Sequence, residues 1–135
     1  RVGRSRTESA SMRSVSACES LPGKAINGEL TLGENIADLA GLNIAYDAWK
    51  RSLNGKPAPT IAGWTGDQRF FLGFSQVWRQ KYRDEILNYL LTVDPHSPGH
   101  FRPYVVRNFD VWYNSFNVKP GEKFYLPPDQ RIKVW

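Results

Sequence analysis

Two carboxylates four residues apart mark the segment LTLGENIADLAGL, residues 30–42. Glu34 and Asp38 fall on one side of a helix, because residues four apart are neighbours on its surface. Apolar side chains share the same turns, and a carboxylate beside a packed surface needs a cation, a hydrogen-bond donor or a metal. Two interpretations follow. Glu34 completes a capping box with Thr31 while Asp38 pairs with Lys or Arg, or both carboxylates belong to a functional site.

A second group of reactive side chains lies in the segment VDPHSPGHFRP, residues 93–103. It contains Asp94, His96, His100 and Arg102, and its prolines and glycine predict a loop. The two histidines do not form the H-E-x-x-H zinc helix, since proline and glycine stand between them. Imidazole and guanidinium groups can donate hydrogen bonds to an oxyanion and to a carbonyl or carboxylate. The alternative is a surface loop in which charges cluster without a function.

Length and composition predict one ordinary globular domain. The chain has 135 residues, of which 41% are hydrophobic and 13% aromatic, enough to build a core. No run of 18 apolar residues occurs, so no membrane-spanning segment is expected. Cys18 is the single cysteine, which excludes an internal disulfide and a cysteine-rich zinc site.

The net charge of +5 is unevenly distributed along the chain. Residues 1–24 contain five basic and two acidic side chains, whereas the remainder is nearly balanced. We expect residues 1–17 to form a weakly ordered basic leader outside the domain, and residues 18–135 to form the domain itself. Binding of nucleic acid through this leader is the least favoured hypothesis, and no nucleic-acid partner is expected.

Apolar spacing predicts a mainly α fold with helices over 31–53, 67–82, 84–92 and 109–117. Thr31 and Asp67 are the expected N-caps of the first two helices. Aromatic side chains follow the second helix, which ends with Val77 and Trp78 in its last turns. Such a stripe is typical of a core, although it can also line a ligand pocket.

Four blocks of the sequence together resemble the C-terminal part of the neprilysin-type zinc endopeptidases, a gluzincin family. The blocks are LPGKAINGELTLGENIADLAGLNIAYDAW, FFLGFSQVWRQKY, VDPHSPGHFR and NVKPGEKFYLPPDQRIKVW. They occur in the order found in the family, from about Cys18 to Trp135, and the ending resembles the bacterial branch. The resemblance implies the helical C-terminal portion of a thermolysin-like, or zincin, catalytic domain.

The resemblance also implies a metal site with zinc as cofactor. The Glu of the family's G-E-N-I-A-D block falls on Glu34, which would be the third zinc ligand. The Asp four residues later falls on Asp38, which would orient a zinc-bound histidine. Both implied roles agree with the chemistry of carboxylates around zinc.

Further implied roles concern the peptide substrate. The loop histidine falls on His96, which would hydrogen-bond the tetrahedral intermediate, and Asp94 would hold it in place. The following F-R block places Arg102 on a substrate carbonyl. Val77 and Trp78 would lie near the pocket for the residue after the cleaved bond, a pocket that favours apolar side chains in the family.

The H-E-x-x-H segment of the family, with two zinc ligands and the general base, is absent from this sequence. We therefore interpret the chain as a fragment or a frame-shifted product of a zinc metalloendopeptidase, and expect it to be inactive alone. Its expected partners are peptide substrates, the missing N-terminal part of the peptidase and, through exposed apolar surface, a second copy of itself. The resemblance implies an extracytoplasmic location for the parent protein. The alternative is a non-catalytic helical module that binds peptides.

Overall fold

Helices dominate residues 19–134, the part of the chain that the computed structural model describes. The predicted leader over residues 1–17 lies outside that part. The expected mainly α class is confirmed, and the short strands form one antiparallel hairpin. In chain order the elements are β1 (Glu19–Leu21), β2 (Lys24–Ala25), α1 (Leu32–Ser52), α2 (Gly66–Val77), α3 (Asp84–Val93), a 3₁₀ helix (Arg102–Asn108), α4 (Asp110–Phe116) and a 3₁₀ turn (Pro128–Gln130).

Helix α1 has nearly the length that the apolar spacing predicts, but its start is built differently. Thr31 occupies the N-cap position without a side-chain capping bond. Its hydroxyl instead donates to the carbonyl of Asn27 at 3.1 Å, so the predicted capping box with Glu34 was wrong. The helix ends where Asn54 and Gly55 adopt positive φ angles, a conformation that suits glycine at a helix C-terminus.

Helix α2 begins with a capping box that the sequence analysis placed on the wrong residue. Thr65, not Asp67, is the N-cap, because its hydroxyl accepts from the backbone N–H of Gln68 while the Gln68 side chain accepts from Thr65. Asp67 instead accepts a hydrogen bond from the hydroxyl of Tyr46 at 2.7 Å. Burial and this hydrogen bond raise the pKa of Tyr46 above its usual value. The same hydrogen bond joins α1 to α2.

Helix α2 is shorter than predicted, ending at Val77 rather than at residue 82. A tight turn follows, in which the N–H of Gln80 donates to the carbonyl of Trp78 at 2.8 Å. Helix α3 matches its prediction within one residue. It ends before Asp94 because Asp94 precedes Pro95, and the residue before a proline disfavours the helical backbone conformation.

One main core joins the helices. Leu39 and Leu42 of α1 pack with Phe71 of α2 and with the end of the chain at Ile132. The 3₁₀ helix, which the sequence analysis did not predict, contacts α1, and α4 contacts α2. A smaller cluster surrounds Phe101, just before the 3₁₀ helix. No helix in residues 19–134 combines the length and apolarity that a membrane crossing requires.

Two glycines of α2 are expected to respond oppositely to substitution by alanine. A Cβ on Gly66 would lie 2.4 Å from the Cβ of Ala58 and 3.1 Å from the Trp49 ring, whereas a Cβ on Gly73 would meet nothing within 4 Å. We expect Gly73→Ala to stabilise the chain by about 0.5–1 kcal/mol and Gly66→Ala to destabilise it. Urea denaturation of both variants checks this, and equal shifts of both midpoints in one direction would contradict it.

Candidate functional site

The imidazole of His96 lies between two carboxylates. Its Nδ1 is 2.8 Å from Oδ1 of Asp94, and its Nε2 is 3.2 Å from Oε2 of Glu34 on the first turn of α1. The backbone N–H of His96 also donates to the same Asp94 oxygen at 2.9 Å. Asp94 thus fixes both the backbone and the ring of His96. The contact of that ring with Glu34 joins the two segments that the sequence analysis singled out.

The pKa of Asp94 is lowered, chiefly by the hydrogen bond from the backbone N–H of His96. Burial opposes that shift, and the His96 side chain and Arg102 add to it. Because the folded state favours the ionised carboxyl, this contact adds stability above the usual carboxyl pKa. That stability is lost as the pH falls through the lowered value. The loop is therefore held most firmly near neutral pH.

Asp38 and Arg102 form a two-pronged ion pair between α1 and the start of the 3₁₀ helix. Nε of Arg102 donates to Oδ2 of Asp38 at 2.7 Å, and Nη2 donates to Oδ1 at 2.5 Å. The guanidinium carbon also lies 3.7 Å from the ring centroid of Trp78. The sequence analysis gave pairing with Lys or Arg as one interpretation of Asp38, and the structure contains such a pair. The two bonds to Asp38 use Nε and Nη2, which leaves the Nη1 donors for a ligand carbonyl.

A pocket of about 200 Å³ opens beside these groups. Its lining includes Trp78, His96 and Arg102, together with Leu87 and Leu90 of α3. The buried indole Nε1–H of Trp78 has no acceptor in the described part of the chain. The pocket therefore combines an apolar part, formed by Trp78 and the two leucines, with polar groups such as His96 and Arg102 that can donate to a peptide carbonyl.

Val77 is not brought into this pocket, although the sequence analysis placed it beside Trp78. Its side chain is 66% exposed at the end of α2, because successive helical residues point about 100° apart. Its substrate role therefore stays a prediction. His100 also lies apart from the pocket: its ring packs on Phe101, with centroids 4.1 Å apart, and burial lowers its pKa.

The sequence analysis missed several pocket and support residues. Leu87, Leu90 and Ser97 line the pocket, and Asn35 accepts a hydrogen bond from Ser97 at 2.8 Å. A signal existed for Asn35, which precedes the buried Leu39 by four residues and therefore lies on the apolar side of α1. Ser97 carried no comparable signal, since loop residues follow no period.

The described residues do not by themselves form a zinc site. No group of three or more His, Cys, Asp or Glu side chains in residues 19–134 is placed to hold a metal ion. Glu34 is a partly exposed carboxylate on the first turn of a helix, which suits one zinc ligand. Zinc sites of hydrolases need three protein ligands. A complete site would therefore require donors from outside these residues.

Comparisons with known proteins define the class. A model of peptidase family M13 matches residues 8–132. Neprilysin-3 of Drosophila melanogaster is 36% identical over 118 residues, covering 84% of this chain and 15% of that protein. Human endothelin-converting enzyme 1 is 39% identical over 121 residues, covering 86% and 15%.

A solved structure agrees with these sequence matches. The zinc metalloprotease ZMP1 of Mycobacterium tuberculosis, in its open state, superposes with a TM-score of 0.90 at 43% identity. The match covers 96% of this chain and 21% of that one. The fold is thus that of a zinc metallopeptidase segment, as the resemblance implied. The chain belongs to peptidase family M13, and it spans about 15% of the length of the curated relatives it matches.

We expect the ion pair of Asp38 to matter more than a comparable pair at the surface. The Asp38 and Arg102 side chains are 11% and 16% exposed, whereas the side chains of Asp67 and Lys50, which pair at 3.6 Å, are 31% and 47% exposed. Asp38→Asn should cost roughly 3 kcal/mol of unfolding free energy, because it leaves a buried guanidinium without its counter-charge. Lys50→Gln should cost less than about 1 kcal/mol, because Asp67 stays partly exposed and keeps its hydrogen bond from Tyr46. Equal losses in urea denaturation would contradict this.

Proposed function

We propose that this chain provides the substrate-binding side and one metal ligand of a zinc metalloendopeptidase active site. The observation that carries the proposal is the meeting of Glu34 and His96, with Nε2 and Oε2 3.2 Å apart, at the edge of the pocket. Membership of family M13 and the structural match to a zinc metalloprotease support it. Two segments separated by about sixty residues thus converge on one site.

Each site residue has a proposed task. Glu34 is one zinc ligand, and zinc when bound polarises the scissile carbonyl and activates water. His96 donates to the developing oxyanion, held in orientation by Asp94. Arg102 donates through Nη1 to a substrate carbonyl, while Asp38 and Trp78 keep its guanidinium in place.

The proposed substrates are oligopeptides with an apolar residue after the cleaved bond. The apolar side chains of Leu87, Leu90 and Trp78 in the pocket support this preference. We further propose that the other zinc ligands and the general base come from polypeptide outside residues 19–134. That polypeptide would be the principal partner of the chain, and an extracytoplasmic location of the parent protein stays part of the proposal.

We expect the isolated chain neither to retain zinc nor to hydrolyse peptides. One carboxylate cannot replace a three-ligand site. The purified chain and Glu34→Ala are dialysed against metal-free buffer, zinc is measured by mass spectrometry, and cleavage of a fluorogenic peptide is followed. Both proteins should show substoichiometric zinc and no cleavage. About one zinc per chain that is lost in Glu34→Ala, or cleavage that a chelator inhibits, would overturn this expectation.

A second candidate function is peptide binding without hydrolysis. It is favoured by the pocket beside Arg102 and Trp78, which lies within the described residues, whereas no group of three possible metal ligands does. The chain would then act as a helical peptide-binding module.

Titration with a blocked apolar dipeptide tests this second function by NMR. We expect the indole N–H signal of Trp78 to shift equally with and without chelator. Arg102→Lys should weaken binding about tenfold or less, because lysine keeps the charge but loses the fork of donors. Arg107→Lys is the matched control on the same 3₁₀ helix, where the side chain bonds the Phe124 carbonyl instead. An unchanged spectrum at millimolar peptide would exclude the function.

A further inference from the structure

Thr31, Asn35 and Ser97 are polar residues that are buried as whole residues, and all three belong to one hydrogen-bonded chain. Thr31 is 3% exposed, Asn35 is 6% exposed and Ser97 is 3% exposed. The Ser97 hydroxyl donates to Oδ1 of Asn35 at 2.8 Å. Nδ2 of Asn35 then donates to Oγ1 of Thr31 at 3.1 Å, whose hydroxyl donates to the backbone carbonyl of Asn27 at 3.1 Å. We call this series the buried relay.

The buried relay runs beside the two residues that meet in the candidate site. Asn35 directly follows Glu34 on α1, and Ser97 directly follows His96 in the loop. The Asn35–Ser97 bond therefore joins the two backbones at the point where the Glu34 and His96 side chains approach each other. The Asn35–Ser97 bond is buried, whereas the direct contact of Glu34 with His96 beside it is partly exposed.

The buried Asn35–Ser97 bond constrains the position of the loop more strongly than the exposed contact of Glu34 with His96 does. The Glu34 and His96 side chains are each about 40% exposed, so water can replace either partner at little cost. A buried amide or hydroxyl that loses its partner has no water to replace it. The relay is also directional, since each group donates to the next, so a shifted loop would leave at least one group unpaired.

The relay also explains why Thr31 does not cap α1. Its Oγ1 accepts from Asn35 and its proton goes to Asn27, so the hydroxyl is engaged on the buried side. A residue at the N-cap position would ordinarily use that oxygen to accept from the first helical N–H groups. The Thr31 hydroxyl thus bonds Asn27 and Asn35 instead of the first helical N–H groups. Asn35 in turn links it to Ser97 in the loop.

We propose that Thr31, Asn35 and Ser97 are positioning residues, which set the His96 ring against Glu34 through the buried relay. The catalytic meaning of that position rests on the function proposed above. The position itself does not, because it is a property of this chain without metal or substrate. The two can therefore fail separately.

NMR of the full chain tests the proposal through the nuclear Overhauser effect between the ring protons of His96 and the γ-methylene of Glu34. The chain has two histidines, so a His96→Gln spectrum assigns the ring signals. Thr31→Val removes the hydroxyl with little change of shape, and Ser97→Ala removes the donor at the other end. We expect both variants to lose this cross-peak while the rest of the spectrum stays dispersed.

Two matched variants serve as controls. Thr31→Ser keeps the relay hydroxyl and should restore the cross-peak. Ser115→Ala removes a hydroxyl that donates only to the Val111 carbonyl within α4 and should leave the cross-peak intact. Retention of the cross-peak in both Thr31→Val and Ser97→Ala would overturn the proposal. So would unfolding of both while Ser115→Ala stays folded, since the relay would then serve stability alone; if one of the two unfolds, the other decides.

Discussion

The ion pair of Asp38 with Arg102 is the contact on which the geometry of this chain most depends. It joins the second turn of α1 to the first residue of the 3₁₀ helix, and Trp78 at the end of α2 covers the guanidinium. Three elements far apart in sequence are therefore fixed at one point. A bidentate pair with a stacked face tolerates little rotation, so the orientation of the pocket wall follows from it.

The loop that carries His96 is held against this junction by close backbone approach as well as by side chains. A Cβ on Gly99 would lie 3.0 Å from the Trp78 carbonyl and 2.7 Å from the Gln80 side chain. Glycine therefore lets the loop lie directly on the turn that ends α2. The turn that ends α2 contacts both the loop and Arg102. These contacts are a physical reason why α2 is shorter than its apolar pattern predicted.

The C-terminal segment stabilises the same arrangement from the opposite side. The N–H of Ile132 donates to the side chain of Asn108 at 2.8 Å, at the end of the 3₁₀ helix. The Tyr113 hydroxyl donates to the Arg107 carbonyl and accepts from the N–H of Leu126. The last residues thus hold the 3₁₀ helix onto α4, and the position of Arg102 at its first turn depends on packing at its last.

Periodic features could be predicted from the sequence, and features set by tertiary contacts could not. The positions of α1 and α3 follow from apolar spacing and from Pro95, which are local signals. Asp67 failed as a cap because it bonds Tyr46, which only the fold brings near. Thr31 occupies its predicted N-cap position, but its hydroxyl bonds Asn27 and Asn35 instead of the first helical N–H groups. The zinc-ligand role of Glu34 came from resemblance alone and stays a prediction. Its contact with His96 spans sixty-two residues, a distance that no local pattern encodes.

Glu34 and His96 differ in what holds them, and that difference has a consequence for the site. His96 is fixed by Asp94, by its own backbone bond and by the buried relay. Glu34 shows one contact of its side chain, to His96, and lies partly exposed on the first turn of α1. A carboxylate that can exchange its partner beside a fixed imidazole can accept a cation without disturbing the donor. The ring of His96 is thereby kept in place whether or not Glu34 exchanges its partner.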